Sequence, residues 1–403
     1  MDQEQLFQVN DDLTQQRENI IVVGVGGGGG NALNHIIESG VQGVDFVAAN
    51  TDVKALNLNQ APNKIMLGEK LTRGLGAGAN PQVGSDAAKE SMDRIKEYIT
   101  GADMLFVTAG MGGGTGTGAA PVIAEAAKEM GILVVGVVTL PFAFEMAKRM
   151  KTAQGGIEHL RKNVDALLVV ENDRLLKLAD DKLRMADAYK MVDEVLRQAV
   201  QGVTDLITKP GFINLDFADI KTVMSNAGSA IMGIGVGEGE NRAELAARIA
   251  IKSPLMSTPM DGAKGILLNV TTGPDVTLME MTRAAEVIKE TADPEANVIW
   301  GHVIDEEVGE SVHVTLIATG FPEGNLDNTV PVNKTASSVV PPAVSNNRAI
   351  RTIFQGSTQP RNGAGYEESR LQTPNEDERD PFPGVRRMTY DQPAIFRRTP
   401  RKE

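Results

Sequence analysis

Gly110-Met111-Gly112-Gly113-Gly114-Thr115-Gly116-Thr117-Gly118 places six glycines in nine residues. An apolar run at 103–109 precedes this stretch, and an alanine-rich segment of helical character at 119–128 follows it. A strand, a glycine loop and a helix in this order present backbone N–H groups and a helix N-terminus to a phosphate group. Glycine suits such a loop because a Cβ atom would block the close approach of the backbone. A flexible linker is the alternative, but the flanking strand and helix favour a phosphate-binding loop.

Charge, composition and length limit the classes of function that this protein could have. The chain has 403 residues and a net charge of −13, a balance that argues against general nucleic-acid binding. It has no cysteine, which excludes disulfides, thiolate metal sites and a thiol nucleophile. The four histidines are scattered, so a metal ion would be held mainly by oxygen, as Mg²⁺ is beside nucleotides. The polar N-terminus does not resemble a signal peptide, and no apolar run is long enough to span a bilayer.

Strand and helix patterns alternate in the first half of the chain. Buried strands are predicted at 20–25, 44–49, 103–109, 132–139 and 165–171, and helices at 31–39, 85–100 and 121–130. This alternation predicts an α/β fold, a Rossmann-like parallel sheet with helices on both faces and ligands at the carboxyl ends of its strands. A long central helix at 186–208 leads to a second, α+β unit, with strands at 230–236, 265–271, 297–304 and 313–318 and helices at 217–225, 241–251 and 277–291.

The composition changes after Gly320. Residues 321–403 hold 10 of the 19 prolines and little apolar periodicity, which predicts a disordered segment. Ile395 and Phe396 lie among arginines and favour a short docking motif over an ordinary solvated basic tail. The predicted organisation is a disordered extension at 1–18, a nucleotide-binding domain at 19–182, a central helix and connection at 183–211, a second domain at 212–321, a disordered linker at 322–385 and a docking peptide at 386–403.

A second glycine stretch, at 24–29, matches the pattern G-x-G-x-x-G between a strand and a helix. Alone it is also typical of an NAD-dependent dehydrogenase, and Asp52 lies where a ribose-binding acid would be expected. However, a third glycine loop at 73–81 suggests a nucleotide with more phosphates, and no lysine follows any of the three loops as a P-loop would require. Backbone dipoles, Mg²⁺ and Arg149 would then have to neutralise the phosphate charge.

Two pairs of charged residues stand out. Glu145 and Arg149 are four residues apart and so are predicted to share a helix face, either as a surface ion pair or as ligands of a ribose and a phosphate. Asp216 and Asp219 are three apart at the start of a predicted helix, where N-capping is the favoured interpretation from spacing alone. They also lie outside the nucleotide-binding domain.

Four stretches together resemble the tubulin superfamily and, within it, the FtsZ family of bacterial cell-division GTPases. They are Gly112-Gly113-Gly114-Thr115-Gly116-Thr117-Gly118, Asn50-Thr51-Asp52, Gly76-Ala77-Gly78-Ala79-Asn80-Pro81 and Asn214-Leu215-Asp216-Phe217-Ala218-Asp219. The resemblance runs from about 20 to 321, and the terminal stretch 390–398 is loosely similar to the family's docking peptide. Two positions depart from the usual family pattern, because Met146 replaces a glycine and Glu171 replaces a proline.

The resemblance implies a role for each candidate residue. Phosphates of GTP or GDP would be cradled by Gly27, Gly28, Gly29, Gly30, Asn31, Gly114, Thr115 and Gly116. Glu145 would meet the ribose and Arg149 the phosphates, while Asn172 and Asp193 would read the guanine edge and Tyr189 would stack on the base. Asn214, Asp216 and Asp219 would form a catalytic loop that enters the nucleotide site of a neighbouring copy, where both acids would polarise water and coordinate Mg²⁺ or another cation.

The resemblance also implies partners and a place in the cell. The second domain would act as a GTPase-activating domain for the next copy, so that the chain would polymerise head to tail into the division (Z) ring at mid-cell, on the cytoplasmic face of the membrane. The docking peptide would bind adaptors such as the actin-like anchor FtsA, and division inhibitors are further expected partners; no nucleic acid and no direct membrane insertion are expected. Two alternatives remain, an NAD-dependent dehydrogenase and a tubulin-like scaffold that binds GTP without hydrolysing it.

Overall fold

The computed structural model describes residues 18–177, 182–209, 211, 213, 215–256, 258–260 and 262–321. The predicted linker and docking peptide, Asn214, and all but the last residue of the predicted N-terminal extension lie outside these ranges. Among the described residues, none of the helices is both long and apolar enough to cross a membrane.

The nucleotide-binding half alternates strands with helices. Its strands are β1 (Ile20–Val25), β2 (Asp45–Asn50), β3 (Asn63–Met66), β4 (Met104–Gly110), β5 (Leu133–Leu140) and β6 (Ala166–Glu171). Its helices are α1 (Gly26–Glu38), α2 (Val53–Leu58), α3 (Glu69–Thr72), α4 (Pro81–Glu90), α5 (Met92–Ile99), α6 (Thr115–Glu129), α7 (Ala147–Arg161) and α8 (Asn172–Leu176). A 3₁₀ turn over Ala143–Glu145 precedes α7.

The second half begins with the long helix α9 (Met185–Thr208). It continues with α10 (Phe217–Met224), β7 (Gly228–Gly237), α11 (Arg242–Ile251), β8 (Gly265–Thr272), α12 (Leu278–Thr291), β9 (Asn297–Ile304) and β10 (Val312–Thr319).

The ten strands form one hydrogen-bonded series in the order β3-β2-β1-β4-β5-β6-β7-β10-β8-β9. Neighbouring strands from β3 to β7 are parallel, and β10 runs antiparallel to both β7 and β8. The two halves meet where β6 pairs with β7 over three residues, 166–168 against 228–230. The predicted α/β fold, with a parallel sheet followed by an α+β unit, is therefore confirmed.

Both faces of the parallel sheet are buried, which explains why its strands read as continuous apolar runs. Val22 and Phe106 point to one face, where α1 and α9 cover them, whereas Ile21 and Leu105 point to the other, under α5, α6 and α7. The first of these cores continues from α9 onto β7, β8 and β10. As a result, α9 packs against both halves of the described chain.

Several element boundaries differ from the sequence prediction. Helix α1 starts at Gly26 instead of residue 31, because the glycines form its first turns and pack against strands: a Cβ atom on Gly29 would lie 2.3 Å from the Thr108 carbonyl oxygen. The predicted helix 85–100 is two helices that meet at Ser91, whose hydroxyl accepts a hydrogen bond from Gly68 N–H at 2.9 Å. Helix α6 starts at Thr115, six residues before the prediction, and contains Pro121.

Candidate functional site

The first and last glycine loops touch each other at the carboxyl ends of β1 and β4. A Cβ atom on Gly28 would lie 3.0 Å from the Gly110 Cα, and one on Gly26 would lie 2.8 Å from the Gly116 nitrogen. This approach is possible only between residues without side chains. The predicted phosphate-binding residues of both loops are therefore brought together.

The third loop, at 76–81, packs on the other side of the loop at 110–118. A Cβ atom on Gly114 would lie 2.8 Å from the Ala77 Cβ and 3.0 Å from the Asn80 nitrogen. Asn80 also caps α4, since its side-chain oxygen accepts a hydrogen bond from Gln82 N–H at 3.0 Å. The loop at 110–118 is thus held between the two other glycine loops.

Two glycines of this cluster have no packing reason to be glycine. A Cβ atom on Gly27 or on Gly113 would meet no described atom within 4 Å. Both lie at the N-terminal ends of α1 and α6, where the described residues provide no side-chain cap and no acidic group in the first turn. Glycine at these two positions therefore leaves open space beside the free N–H groups at the starts of α1 and α6. Such N–H groups suit the binding of phosphate oxygens.

Threonine hydroxyls connect the loops to the end of β2. The hydroxyl oxygens of Thr51 and Thr115 lie 2.6 Å apart, and Gly112 N–H donates to the Thr117 hydroxyl at 2.8 Å. Asp52, the candidate ribose-binding acid of the dehydrogenase alternative, instead caps α2 by accepting from Lys54 N–H at 2.8 Å. A cavity of about 190 Å³ borders this region, and Gly27, Gly30 and Asn31 are among the residues that line it.

Glu145 and Arg149 form an ion pair of 2.9 Å between Oε2 and Nη1, but the prediction that they share one helix face is wrong. Glu145 ends the 3₁₀ turn and α7 begins only at Ala147, so the pair spans a break in the helix. Glu145 also accepts from Phe142 N–H at 3.0 Å, and a Cβ atom on Gly112 would lie 2.7 Å from the Arg149 Cγ. The ion pair is thus pressed against the phosphate loop and is more than a surface contact.

Met146, between these two residues, has a backbone conformation that normally requires glycine. Its φ is 77° and its ψ is 156°. This region is essentially restricted to glycine, and an L-residue in it costs about 1–3 kcal/mol. The Met146 side chain is 72 % exposed, so its packing compensates for little of that cost.

The predicted guanine-reading residues lie around the first turns of α8 and α9. Asn172 begins α8 and is 4 % exposed, and its Oδ1 has no hydrogen-bond partner among the described residues. The Tyr189 ring lies edge-on to Phe142 at a centroid distance of 5.4 Å, and burial, followed by the Glu145 carboxylate, raises the pKa of the Tyr189 phenol. Tyr189 and Glu145 are therefore neighbours, as a shared nucleoside site requires.

Burial raises the pKa of Asp193 to about 7, against the opposing effect of the His35 charge. A buried carboxylate of this kind is stabilised by N–H donors, and the ring N–H and amino group of guanine are such donors. The next residue, Glu194, was not predicted as important, yet it lies 2.9 Å from the Nε2 of His35 and pairs with Arg197. No local sequence signal could have indicated this contact, because His35 and Glu194 are 159 residues apart.

Glu171 ends β6 and forms an ion pair of 2.8 Å with Arg174 in α8. The residue that replaces the family's proline thus fixes the first turn of α8, directly after Asn172.

The two candidate catalytic acids lie far from all these residues. Asp216 and Asp219 are exposed at the start of α10. Asp216 occupies the N-cap position, but within the described residues its side chain makes no capping hydrogen bond, so the favoured capping interpretation is not supported for Asp216. Along α9, Tyr189 and Asp193 lie about 28 Å and about 22 Å before its last residue, Thr208, and the two acids follow that end.

The metal-binding potential of the described residues is limited. They contain no group of three or more His, Asp or Glu side chains that could hold a metal ion. Asp216 and Asp219 alone supply two carboxylates, which fits Mg²⁺, since this ion is commonly bound by one or two carboxylates together with substrate phosphates and water.

Comparison with known proteins adds independent evidence. Residues 19–180 match the model of the Tubulin/FtsZ family GTPase domain, and residues 228–322 match the model of the FtsZ family C-terminal domain. The chain is 46% identical to an FtsZ dimer from M. jannaschii solved empty, over 77% of this chain and 90% of that one, with a TM-score of 0.74. A GTPγS-bound protofilament of CetZ2 from Haloferax volcanii is 22% identical over 77% of this chain and 95% of that chain, with a TM-score of 0.66, and shares the fold.

Proposed function

The chain belongs to the FtsZ family of tubulin-like GTPases, and from that premise we propose that it assembles head to tail and hydrolyses GTP at the contact between two copies. As a member of this family it binds GTP and GDP and is a GTPase. Family membership overturns the dehydrogenase alternative and the alternative of a scaffold without GTPase activity.

One observation carries the proposal of a shared site. The candidate base-binding residues Tyr189 and Asp193 lie on the first half of α9, whereas Asp216 and Asp219 follow its C-terminal end, and the helix spans about 22 Å from Asp193 to Thr208 alone. Side chains reach only a few ångströms, so these acids cannot act on a nucleotide bound to their own chain. A second copy that stacks on the first would bring the two halves together.

Within the nucleotide site, each residue has a role that its surroundings support. The free N–H groups at the starts of α1 and α6, which include those of Gly27–Asn31 and Gly114–Gly116, would hold the phosphates, with Arg149 adding positive charge. Glu145 would accept from the ribose hydroxyls. The unpaired Asn172 Oδ1 and the buried Asp193 carboxylate would accept hydrogen bonds from guanine, and Tyr189 would cover its face.

Hydrolysis would depend on the second copy. Asp216 and Asp219, together with Asn214, would orient the attacking water in line with the terminal phosphate. Phosphoryl transfer needs mainly positioning and charge stabilisation, so the loss of one oriented carboxylate should be costly. Asp216 and Asp219 would help to hold Mg²⁺, and the chemistry this ion supplies when bound is positive charge that stabilises the phosphate oxygens.

Exposed apolar side chains occur in both halves of the described chain. Leu58 and Leu75 are more than 80 % exposed near the end of β2, next to the glycine loops. Leu278 and Met279 are exposed at the start of α12, the helix that follows β8 in the chain. A contact between these two different surfaces of neighbouring copies would not close on itself, and such a contact generates filaments.

The cellular role follows from the family and from the tail. We expect the filaments to form the division ring on the cytoplasmic side of the membrane, with the docking peptide at 386–403 bound to an anchor such as FtsA. Division inhibitors would act on the same filaments. The tail's charge supports this attachment, since residues 321–403 hold 12 basic and 10 acidic residues, a net charge of +2 in a chain whose total is −13.

Complementation between two inactive variants tests the shared site. Gly113→Val places a side chain in the open space beside the phosphate loop and should block GTP without a clash in the protein. Asp219→Ala should bind GTP but lack the water-orienting acid. Each variant alone should release little phosphate, whereas an equimolar mixture should regain activity, because the acids of the first variant meet the nucleotide of the second. Co-sedimentation of both variants without recovered phosphate release would rule out the shared site.

A further inference from the structure

We infer that Met146 is a positioning residue that weakens nucleotide binding, because its glycine-like backbone strains the turn that carries Glu145 and Arg149. This inference rests on the proposed roles of these two residues at the nucleotide. It adds a determinant of affinity that touches neither base nor phosphate.

Met146 has the largest φ of the four described non-glycine residues with positive φ. Arg73, Ala79 and Asn226 have φ values of 52°, 58° and 51°. At Arg73 the ψ is 29°, which is ordinary left-handed helical geometry. Met146 combines a φ of 77° with a ψ of 156°, a combination that side chains other than glycine's hydrogen strongly disfavour.

The residues on both sides hold Met146 in this conformation. Met146 N–H donates to the Ala143 carbonyl at 3.2 Å, and its own carbonyl accepts from Arg149 N–H at 3.1 Å. Glu145 is fixed by Phe142 N–H and by Arg149, and Arg149 rests against Gly112. The single residue 146 must therefore connect the 3₁₀ turn to α7.

These anchors are unequal. The Glu145 side chain is 9 % exposed, but that of Arg149 is 52 % exposed, so the ion pair is open to water on one side. When the pair separates in the nucleotide-free protein, the turn at Met146 can relax to an unstrained conformation. A nucleotide that contacts both side chains requires the strained turn again, and the free energy of restoring it is subtracted from binding.

Two substitutions at the same position separate the backbone from the side chain. Met146→Gly removes the strain, whereas Met146→Ala keeps a Cβ atom and thus the strain but removes the thioether. The strain expected for such a residue corresponds to a factor of about 5 to 100 in an equilibrium constant. We therefore expect the dissociation constant for GDP to fall about 5- to 100-fold in Met146→Gly and to stay within about twofold of the wild type in Met146→Ala.

The measurement is a titration with GDP by calorimetry, together with the release rate of a fluorescent GDP chased by excess unlabelled GDP. Slower release from Met146→Gly alone supports the inference. Asn226→Gly, which relieves a positive φ far from the site, is the control and should release the probe at the wild-type rate. If Met146→Gly raises the melting temperature but leaves the release rate of GDP unchanged, Met146 has only a structural role. If Met146→Gly and Met146→Ala change GDP release equally, the effect belongs to the side chain. Either result overturns the inference.

The same titration distinguishes failure of the underlying function. If Glu145→Ala and Arg149→Ala both bind GDP as the wild type does, the proposed roles of the ion pair are wrong, and the inference falls with them. If these two variants lose affinity while Met146→Gly and Met146→Ala remain alike, only the inference about Met146 is overturned.

Discussion

Asp193 and Glu194 are adjacent on α9, yet the pKa values of their carboxyl groups are shifted in opposite directions. Burial raises the pKa of Asp193 to about 7. Burial acts on Glu194 in the same sense, but hydrogen bonds from Arg197 and His35 outweigh it and hold the pKa of Glu194 below its usual value. Glu194 is therefore stabilised by side chains of its own chain, whereas the partner that we propose for Asp193 is the guanine base.

The first prediction concerns the pH dependence of nucleotide affinity. Protonated Asp193 cannot accept hydrogen bonds from guanine, so GDP affinity should fall as the pH is lowered through about 7. Between pH 8 and pH 6 the ionised fraction decreases by about tenfold, and we expect a loss of affinity of that order. Calorimetric titrations at pH 6, 7 and 8 measure it. Asp193→Asn should bind more weakly at pH 8 with a flatter profile, and an unchanged profile in this variant would contradict the assignment.

The second prediction concerns the stability of the nucleotide-free protein. The pKa of Asp193 in the folded protein lies above the ordinary aspartate value of about 3.9, so the unfolded chain ionises first and the buried acid lowers stability increasingly as the pH rises from about 4 to about 7. Asp193→Asn should therefore raise the free energy of unfolding at pH 8 by about 1–3 kcal/mol, with little gain near pH 4. Urea unfolding at both pH values checks this. A variant less stable than the wild type at pH 8 would disprove it.

The third prediction separates two neighbouring glycines of α1. A Cβ atom on Gly29 would lie 2.3 Å from the Thr108 carbonyl oxygen, whereas one on Gly27 would meet no described atom within 4 Å. Gly29→Ala should lower stability by about 1–3 kcal/mol through overpacking. Gly27→Ala should leave the melting temperature unchanged but weaken GDP binding on the order of tenfold, since the new methyl group enters the phosphate cradle. Thermal unfolding and GDP titration of both variants check this. Loss of stability in Gly27→Ala, or weaker GDP binding in Gly29→Ala alone, would contradict the proposed position of the phosphate cradle.

The fourth prediction concerns catalysis. Asp219→Ala should bind GTP as the wild type does and lose turnover by about 100-fold or more, in line with the loss of a group that positions the attacking water. Glu125→Ala, which removes an exposed carboxylate on α6, is the matched control and should keep full activity. Phosphate release and GTP binding are measured in parallel. Normal hydrolysis by Asp219→Ala would remove the basis for a site shared between copies.

The fifth prediction concerns the tail. Deletion of residues 390–403 should leave GTP-dependent light scattering unchanged, because the residues that we propose to bind nucleotide and to supply the acids all precede residue 322. The same deletion should abolish binding to a purified FtsA-type adaptor in a pull-down. Adaptor binding that survives the deletion would assign docking to another part of the chain.

Buried elements were predictable from sequence where local pattern and tertiary environment agree. Strand β1 has the predicted bounds, since a strand with both faces covered reads as an apolar run between clear breaks. The sequence predicts the start of α1 five residues too late, because glycine disfavours a helix on local grounds. In the structure, the glycines instead allow the helix to pack closely on β4. Local propensity thus failed where the fold requires residues without side chains.

In the candidate site, too, features with a local sequence signal were predictable and those that depend on tertiary packing were not. The glycine loops were found because their composition is unusual over a short stretch. The break between Glu145 and Arg149 was missed, because an i,i+4 spacing looks the same whether or not the helix is continuous, and the pair forms across Met146 all the same. The partnership of His35 with Glu194 depends on packing of α1 against α9 and has no trace in either local sequence.

The length of α9 has a consequence for counting active sites. If the acids of one copy complete the site of the next, a filament of n copies contains n − 1 complete sites, and a single copy contains none. The copy at one end keeps its nucleotide without a partner to hydrolyse it, however long the filament grows. Turnover per copy would then rise as (n − 1)/n, and each filament would carry one chemically silent terminus that marks its direction.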